Sequence, residues 1–240
     1  MDSDLRIGCS GWYYDDWIDR FYPGDMDKRE WLSFYAERFP VVEVKSTFYH
    51  FQKKKTLRGW YERTPDDFRF ILKANRQITH RQRFSETGDL IARFYGLAKY
   101  LGEKLGGILF QLPPSVEKDM GLLESIADQL SLRQTNFLEF RHASWFDKPV
   151  YEFLRDKNVG FCCVSVKGMP EDCIATTDTS YIRFHGKEEW YRYLYSEKEL
   201  TAWADKIRRL EAETIYGFFN NDYQGNAIQN AGQLREILTE

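Results

Sequence analysis

Residues 41–48 read Val-Val-Glu-Val-Lys-Ser-Thr-Phe, a strand-like run with two chemically different faces. Successive side chains of a strand point to opposite sides. Glu43, Lys45 and Thr47 therefore share one face, and Val42, Val44 and Ser46 share the other. A buried strand of a parallel sheet is usually apolar on both faces. This run therefore predicts a strand of a sheet that encloses a polar interior.

Seven further runs of similar length are rich in β-branched or aromatic residues, as strands are. They are Leu5–Ser10, Phe68–Asn75, Gly107–Leu112, Asn136–His142, Gly160–Ser165, Tyr181–Gly186 and Ile215–Asn221. Segments with helical periodicity lie between most of them. Strands that alternate with helices predict a parallel sheet, and eight strands predict its closure into a single-domain α/β (β/α)₈ barrel, a TIM-like barrel over residues 1–240. A doubly wound open sheet is the alternative.

The helix signals differ in strength along the chain. Capping boxes at Asp27–Glu30 and Ser196–Glu199 predict two helix starts. Thr56–Arg63 predicts a short helix at most, because Gly59 interrupts it. Val166–Thr179 has no helical stripe, so an irregular or missing helix is expected after the sixth strand.

Composition limits the function classes. The 240 residues are 42% hydrophobic, and a net charge of −3 with a pI near 5.9 provides no overall positive field for a duplex or an anionic membrane. No apolar window approaches the roughly 18 residues of a membrane span. The acidic N-terminus shows no signal peptide, and the four cysteines form no C-x-x-C pair. A reduced, cytoplasmic protein without membrane contact is expected.

Polar side chains recur on one face in the C-terminal halves of several predicted strands. In a barrel this face would surround one axial cavity at the C-terminal mouth, where barrel enzymes keep their active sites. The predicted lining residues are Glu43, Lys45, Lys73, Gln111, Glu139, Arg141, Arg183, His185 and Asn220.

Several local motifs resemble the YecE-like family, known as domain of unknown function 72. They are Gly8–Trp12, Phe21–Pro23, Glu43–Tyr49, Thr79–His80, Phe110–Pro114, Glu139–Trp145, Arg183–Gly186 and Phe219–Asp222. The resemblance runs in order over nearly the whole chain and implies a TIM-like barrel, with no settled reaction. The family usually reads Glu-x-Asn-Ser-Thr-Phe-Tyr, and Lys45 stands here at the Asn position.

The leading hypothesis is an enzyme, a hydrolase, lyase or isomerase, that acts on a small anionic or sugar-containing ligand. The predicted catalytic residues are Glu43, Glu139, Lys45 and His185. Glu43 or Glu139 would serve as general acid or base, with Lys45 as an electrophile stabiliser or a Schiff-base amine. The other predicted site residues and His185 would bind or orient the ligand: Lys73, His80, Gln111, Arg141, His142, Arg183, His185, Asn220, Asn221, Trp12, Tyr14 and Tyr49. The alternative is structural ion pairing, either Glu43 with Lys45 and Glu139 with Arg141, or bridges to neighbouring strands.

Two other functions are considered. His80, His142 and His185, with Glu43, Glu139 and Asp222 nearby, could form the metal site of a phosphoesterase. The neighbouring cations disfavour a metal, and no cofactor is expected. The basic loop Lys73–Arg83 and an aromatic rim that includes Trp190 and Tyr191 would suit a nucleic-acid-binding protein. The sequence does not predict the oligomeric state.

Overall fold

Eight parallel strands close into a barrel in the computed structural model, which describes residues 3–188 and 191–239. The strands pair in chain order, and the last pairs with the first. They are β1 (Asp4–Ser10), β2 (Val41–Val44), β3 (Arg69–Lys73), β4 (Leu105–Gln111), β5 (Asn136–Glu139), β6 (Gly160–Val166), β7 (Thr179–Gly186) and β8 (Thr214–Phe219). The predicted TIM-like barrel is confirmed. Trp190 of the predicted aromatic rim lies outside the described residues.

Helices surround the barrel on its outside. They are α1 (Trp31–Ala36), α2 (Ser46–Tyr49), α3 (Lys54–Glu62), α4 (Gly88–Ala98), α5 (Met120–Gln129), α6 (Lys148–Asp156), α7 (Glu197–Ile207) and α8 (Asn226–Thr239), and a π-helical turn covers Gln77–Arg81. As predicted, no helix lies between β6 and β7, a stretch that is fully described. Within the described part of the chain, no helix is long and apolar enough to cross a membrane.

The second strand is shorter than predicted. It ends at Val44, and the turn of α2 begins at Ser46. The Thr47 hydroxyl donates hydrogen bonds to the carbonyl oxygens of Val44, at 2.8 Å, and Lys73, at 2.7 Å. Thr47 therefore secures the ends of β2 and β3 instead of continuing the polar face of the strand.

Three helix predictions had different outcomes. The capping box at Ser196 forms, and its side chain accepts from the Glu199 amide. The capping box at Asp27 does not form, since α1 begins at Trp31 without a side-chain cap. Gly59 does not interrupt α3: a helical glycine costs only about 1 kcal/mol, and burial of Leu57 and Trp60 favours the helix.

Apolar side chains fill the barrel on both sides of the sheet. One group fills the lower lumen and includes Val41, Ile71, Leu109, Phe137 and Cys162. A larger group packs between the strands and the outer helices. The polar faces of the strands lie nearer their C-terminal ends, so they sit above an apolar floor.

Candidate functional site

Arg183 lies at the centre of the lumen between two carboxylates. It is 1% exposed; its Nη2 lies 2.6 Å from Glu43 Oε1, and its Nη1 donates to Glu139 Oε2. Burial by itself would raise the pKa of both carboxyls. The charge of Arg183 and the hydrogen bonds that each carboxylate accepts outweigh burial, so the pKa of both glutamates lies below the usual value. Both are ionised and paired at neutral pH.

Each oxygen of these two carboxylates has a partner. The Tyr181 hydroxyl donates to Glu43 Oε2 at 2.5 Å. Glu139 Oε1 accepts from Arg141 Nη1 at 2.9 Å and from Gln111 Nε2 at 3.1 Å. The i,i+2 pair of Glu139 and Arg141 is therefore present, whereas the cation bound to Glu43 comes from β7 and is not Lys45. Both glutamates are 0% exposed, so neither oxygen pair faces a ligand directly.

His185 joins the carboxylates to the top of the lumen. Asn220 Oδ1 accepts from Lys45 at 3.0 Å, so its Nδ2 donates to His185 Nδ1 at 3.1 Å. This leaves the proton on Nε2, which lies 3.1 Å from Glu139 Oε1. Burial and the charge of Arg183 lower the pKa of His185 to about 3. His185 is a neutral imidazole at pH 7, with its tautomer set by Asn220.

We expect the His185 ring to stay neutral well below pH 6. The folded pKa is lowered, so the native ring takes up its proton only as pH falls towards about 3. Ring nitrogen chemical shifts in an NMR titration measure this directly, with His185→Asn to assign the signal. Titration of His185 near pH 6.5 would contradict the arrangement.

Lys45 connects the end of β2 with the end of β8. Its Nζ lies 3.0 Å from Asn220 Oδ1 and 3.3 Å from Asp222 Oδ2, and 5.0 Å from the centre of the Tyr14 ring. Burial lowers the pKa of Lys45, and the Asp222 carboxylate opposes this shift. A lysine at this position therefore ties two strand ends together and presents an ammonium group above the lumen.

Two adjoining pockets open at this mouth. One, of about 280 Å³, is lined by Lys45, Phe48, Tyr49, Lys73, Tyr191, Asn220 and Asp222. The other, of about 290 Å³, is mainly aromatic and is lined by Gly11, Trp12, Tyr13, Tyr14, Val44, Lys45, Ser46 and Tyr49. Lys45 and Tyr49 belong to both. Of the predicted site residues, the first pocket takes Lys45, Lys73, Asn220 and Tyr49, and the second adds Trp12 and Tyr14.

Some predicted ligand-binding residues do not line these pockets. His142 Nδ1 bonds the Ser144 hydroxyl at 2.8 Å in the loop after β5. Asn221 is fully buried and donates to the Tyr193 carbonyl and to Asn230, so it holds a loop on α8. Neither residue lines the two pockets described above. His80 is partly buried, with its ring centre 4.9 Å from that of Phe48.

The basic loop lies at the rim of the same end. Arg81 and Arg83 are exposed on it, and the Arg76 guanidinium lies 5.6 Å from the centre of the Tyr49 ring. Among the described residues, no three His, Cys, Asp or Glu side chains are grouped to hold a metal ion.

Sequence reasoning did not assign Phe48 or Tyr181 to the site, and it considered Tyr191 only as part of the aromatic rim and Asp222 only beside the alternative metal site. Tyr181 had a signal, since it lies two residues before Arg183 and so shares its face. Asp222 follows the predicted Asn220 and Asn221, and its carboxylate reaches Lys45. Phe48 was assigned to a strand, and only the helical turn α2 brings its ring within 4.5 Å of Lys73 Nζ.

Comparison with known proteins identifies relatives over nearly the whole chain. The family model "Protein of unknown function DUF72" matches residues 6–240. The UPF0759 protein YunF of Bacillus subtilis is 30% identical over 98% of this chain and 94% of its own length. The UPF0759 protein YecE of Escherichia coli is 28% identical over 60% of this chain and 51% of its own length.

Solved structures agree with this assignment. A DUF72 family protein from Thermotoga maritima has a TM-score of 0.89 and 30% identity, covering 99% of this chain and 100% of that one. One from Enterococcus faecalis has a TM-score of 0.85 at 21% identity, with 98% and 96% covered, which supports the fold. From its sequence, its closed barrel and these relatives, the chain belongs to the DUF72 family.

Proposed function

We propose that this protein is a barrel enzyme that binds a small phosphate- or carboxylate-bearing molecule in the pocket lined by Lys45 and Lys73. The observation that carries the proposal is that the Lys73 ammonium group has no carboxylate of the described residues paired with it. Lys73 lines the pocket, and no carboxylate among the described residues lies within ion-pair distance of its Nζ. An ammonium that forms no direct ion pair in a partly closed pocket is a binding group for an anion.

The balance of charge around the pocket favours the same ligand class. Four cationic side chains stand against three carboxylates: Lys45, Lys73, Arg141 and Arg183 against Glu43, Glu139 and Asp222. His185 is neutral and adds no charge to this count. With Lys73 protonated the group therefore carries one excess positive charge, which a bound anion would neutralise.

The location and size of the pocket support an enzyme. It lies at the C-terminal mouth of a barrel, where barrel enzymes have their active sites. Its volume of about 280 Å³ suits a small molecule, and the adjoining aromatic pocket offers flat rings to a sugar or another apolar portion. Because Glu43 and Glu139 are buried and fully paired, we assign them the role of holding Arg183 in place. Proton transfer is assigned instead to the groups that line the pocket.

Titration calorimetry with inorganic sulfate and inorganic phosphate tests the proposal. We expect saturable binding of one anion, weakened about 10- to 100-fold in Lys45→Met, since a hydrogen bond to a charged group contributes about 1.5–3 kcal/mol. Lys157→Met is the matched control, because it removes one positive charge at the opposite end of the barrel, after α6. Equal affinities in all three proteins, or no binding at low ionic strength, would contradict the proposal.

A further inference from the structure

Lys104 and Lys73 are both at least partly buried, but their ammonium groups differ in hydrogen-bond partners. Lys104 is 2% exposed, and its Nζ donates to the carbonyl oxygens of Tyr61 and Thr64, both at 2.7 Å. Those bonds satisfy the ammonium, as a structural lysine requires. Lys73 Nζ lies 4.5 Å from the centre of the Phe48 ring and donates no hydrogen bond to a described residue. Its contacts are those of an amine left available to the pocket.

The surroundings of Lys73 disfavour its charged form. Burial lowers the pKa of Lys73, the charge of Arg183 lowers it further, and Glu139 and Glu43 oppose the shift only in part. The result is a pKa of about 7. A substantial fraction of the amine is then unprotonated at neutral pH, the form that is nucleophilic.

The pocket also holds groups suited to the carbonyl oxygen of a substrate. Lys45 carries an ammonium on the same wall, fixed by Asn220 and by Asp222 at 3.3 Å. Ammonium and carboxylate side by side supply a hydrogen-bond donor for a developing alkoxide and an acceptor for a proton. The Lys45 ammonium, joined by the positive charge of the protonated imine once it has formed, would hold an acidic group of the same molecule.

We propose that Lys73 is a catalytic residue that forms an imine with the carbonyl carbon of a small aldehyde or ketone that also bears a carboxylate or phosphate. This inference rests on the proposed anion-binding pocket and names its substrate class. It moves the Schiff-base role predicted for Lys45 to the neighbouring strand, because Lys45 is engaged with Asp222 and Lys73 is not.

The covalent step balances with water as its only by-product. The Lys73 nitrogen attacks the carbonyl carbon, a C–N bond forms, and the C=O π pair moves to oxygen. Nitrogen releases a proton and oxygen gains one, which gives a carbinolamine. The nitrogen lone pair then forms C=N as the C–O bond breaks, and the hydroxyl takes a proton and leaves as water. One proton is taken up overall, because the imine is protonated.

Reductive trapping tests the inference. The protein is incubated with glyoxylate, an aldehyde that carries a carboxylate, and sodium cyanoborohydride delivers hydride to any imine carbon. We expect one adduct per chain by intact mass, located at Lys73 by peptide mapping of the unmutated protein. Labelling should be at least tenfold slower with propanal, which lacks the anion, and in the presence of saturating sulfate.

Lys73→Arg keeps the positive charge and should lose the adduct, whereas Lys157→Met should keep it. An adduct located at Lys45, or spread over exposed lysines and unchanged in Lys73→Arg, would overturn the inference. Calorimetry separates the two proposals. Sulfate binding without a trapped adduct would refute imine formation and leave the anion pocket standing, and the absence of both would refute both.

Discussion

Replacing Arg183 with methionine is expected to destabilise the fold by about 3–5 kcal/mol at pH 7, the usual cost of breaking a buried ion pair by removing one partner. The substitution removes the guanidinium that lies between Glu43 and Glu139, both of which are 0% exposed. Tyr181, Arg141 and the other neighbours cannot replace its contacts to two carboxylates at once. Urea denaturation monitored by circular dichroism measures the loss.

The loss of stability caused by Arg183→Met should become smaller as pH falls. In the native protein the pKa of both glutamates is lowered, so their stabilisation is present above the unfolded pKa of about 4.3 and is lost as pH falls through the lowered folded values. Without Arg183, burial raises the folded pKa of both. The variant is then most stable, relative to its unfolded state, below about pH 4.3 and loses stability as pH rises.

Two further variants control for the loss of side-chain volume and charge. Arg208→Met removes an arginine that is 44% exposed beside Asp205, and should cost less than about 1 kcal/mol. Combining Arg183→Met with Glu43→Gln and Glu139→Gln should recover part of the stability at pH 7, because neither buried carboxylate is then left charged without Arg183. A wild-type-like Arg183→Met protein at pH 7 would show that this network does not stabilise the barrel.

Anion affinity is expected to fall about tenfold between pH 6 and pH 8, because Lys73 loses its proton near pH 7 and each pKa unit corresponds to about 1.4 kcal/mol. A bound anion raises the pKa of Lys73, so binding is strongest below that value and weakens as pH rises through it. Sulfate is the appropriate probe, since its charge is constant over this range. Calorimetric titrations at each pH give the affinity.

The charged and titratable groups that face Lys73 do not themselves produce the fall in anion affinity near pH 7. They are Arg183, Glu139, Glu43, Arg141 and His80. The pKa of both glutamates lies below its usual range, and burial lowers the pKa of His80 to about 4, outside the window. Lys73→Met should therefore bind sulfate about 10- to 100-fold more weakly at pH 6 and show no step near pH 7. A step that persists in Lys73→Met would assign the titration to another group.

Local patterns in the sequence were enough to predict the barrel. Eight strand-like runs alternate with helical stripes, and strand parity separates Cys162, inside the barrel, from Cys163, outside it. Parity also predicted that Arg183 and His185 share one face of β7, because it depends only on the two-residue repeat of a strand. Motif resemblance indicated the DUF72 family, which the family model and its relatives show.

Partner choice within the lumen was not predictable in the same way. Glu43 and Lys45 share a face, yet Glu43 pairs with Arg183, 140 residues away, and Lys45 pairs with Asp222, 177 residues away. These pairings depend on the tilt of the strands around a closed barrel and on where each strand ends, and neither is encoded locally. The position of Phe48 depended on the helical turn α2, which replaced the end of a predicted strand.

The sequence by itself therefore determined the barrel and the side chains that share one face within a strand, since periodicity within a single element carries this information. Only the tertiary structure decided which charges neutralise each other and which one is left over. That distinction places Glu43 and Glu139 in a closed network and leaves the Lys73 amine open to the pocket. It arises because ion pairing is set by distances between elements far apart in the chain, and burial multiplies the energy of each pair.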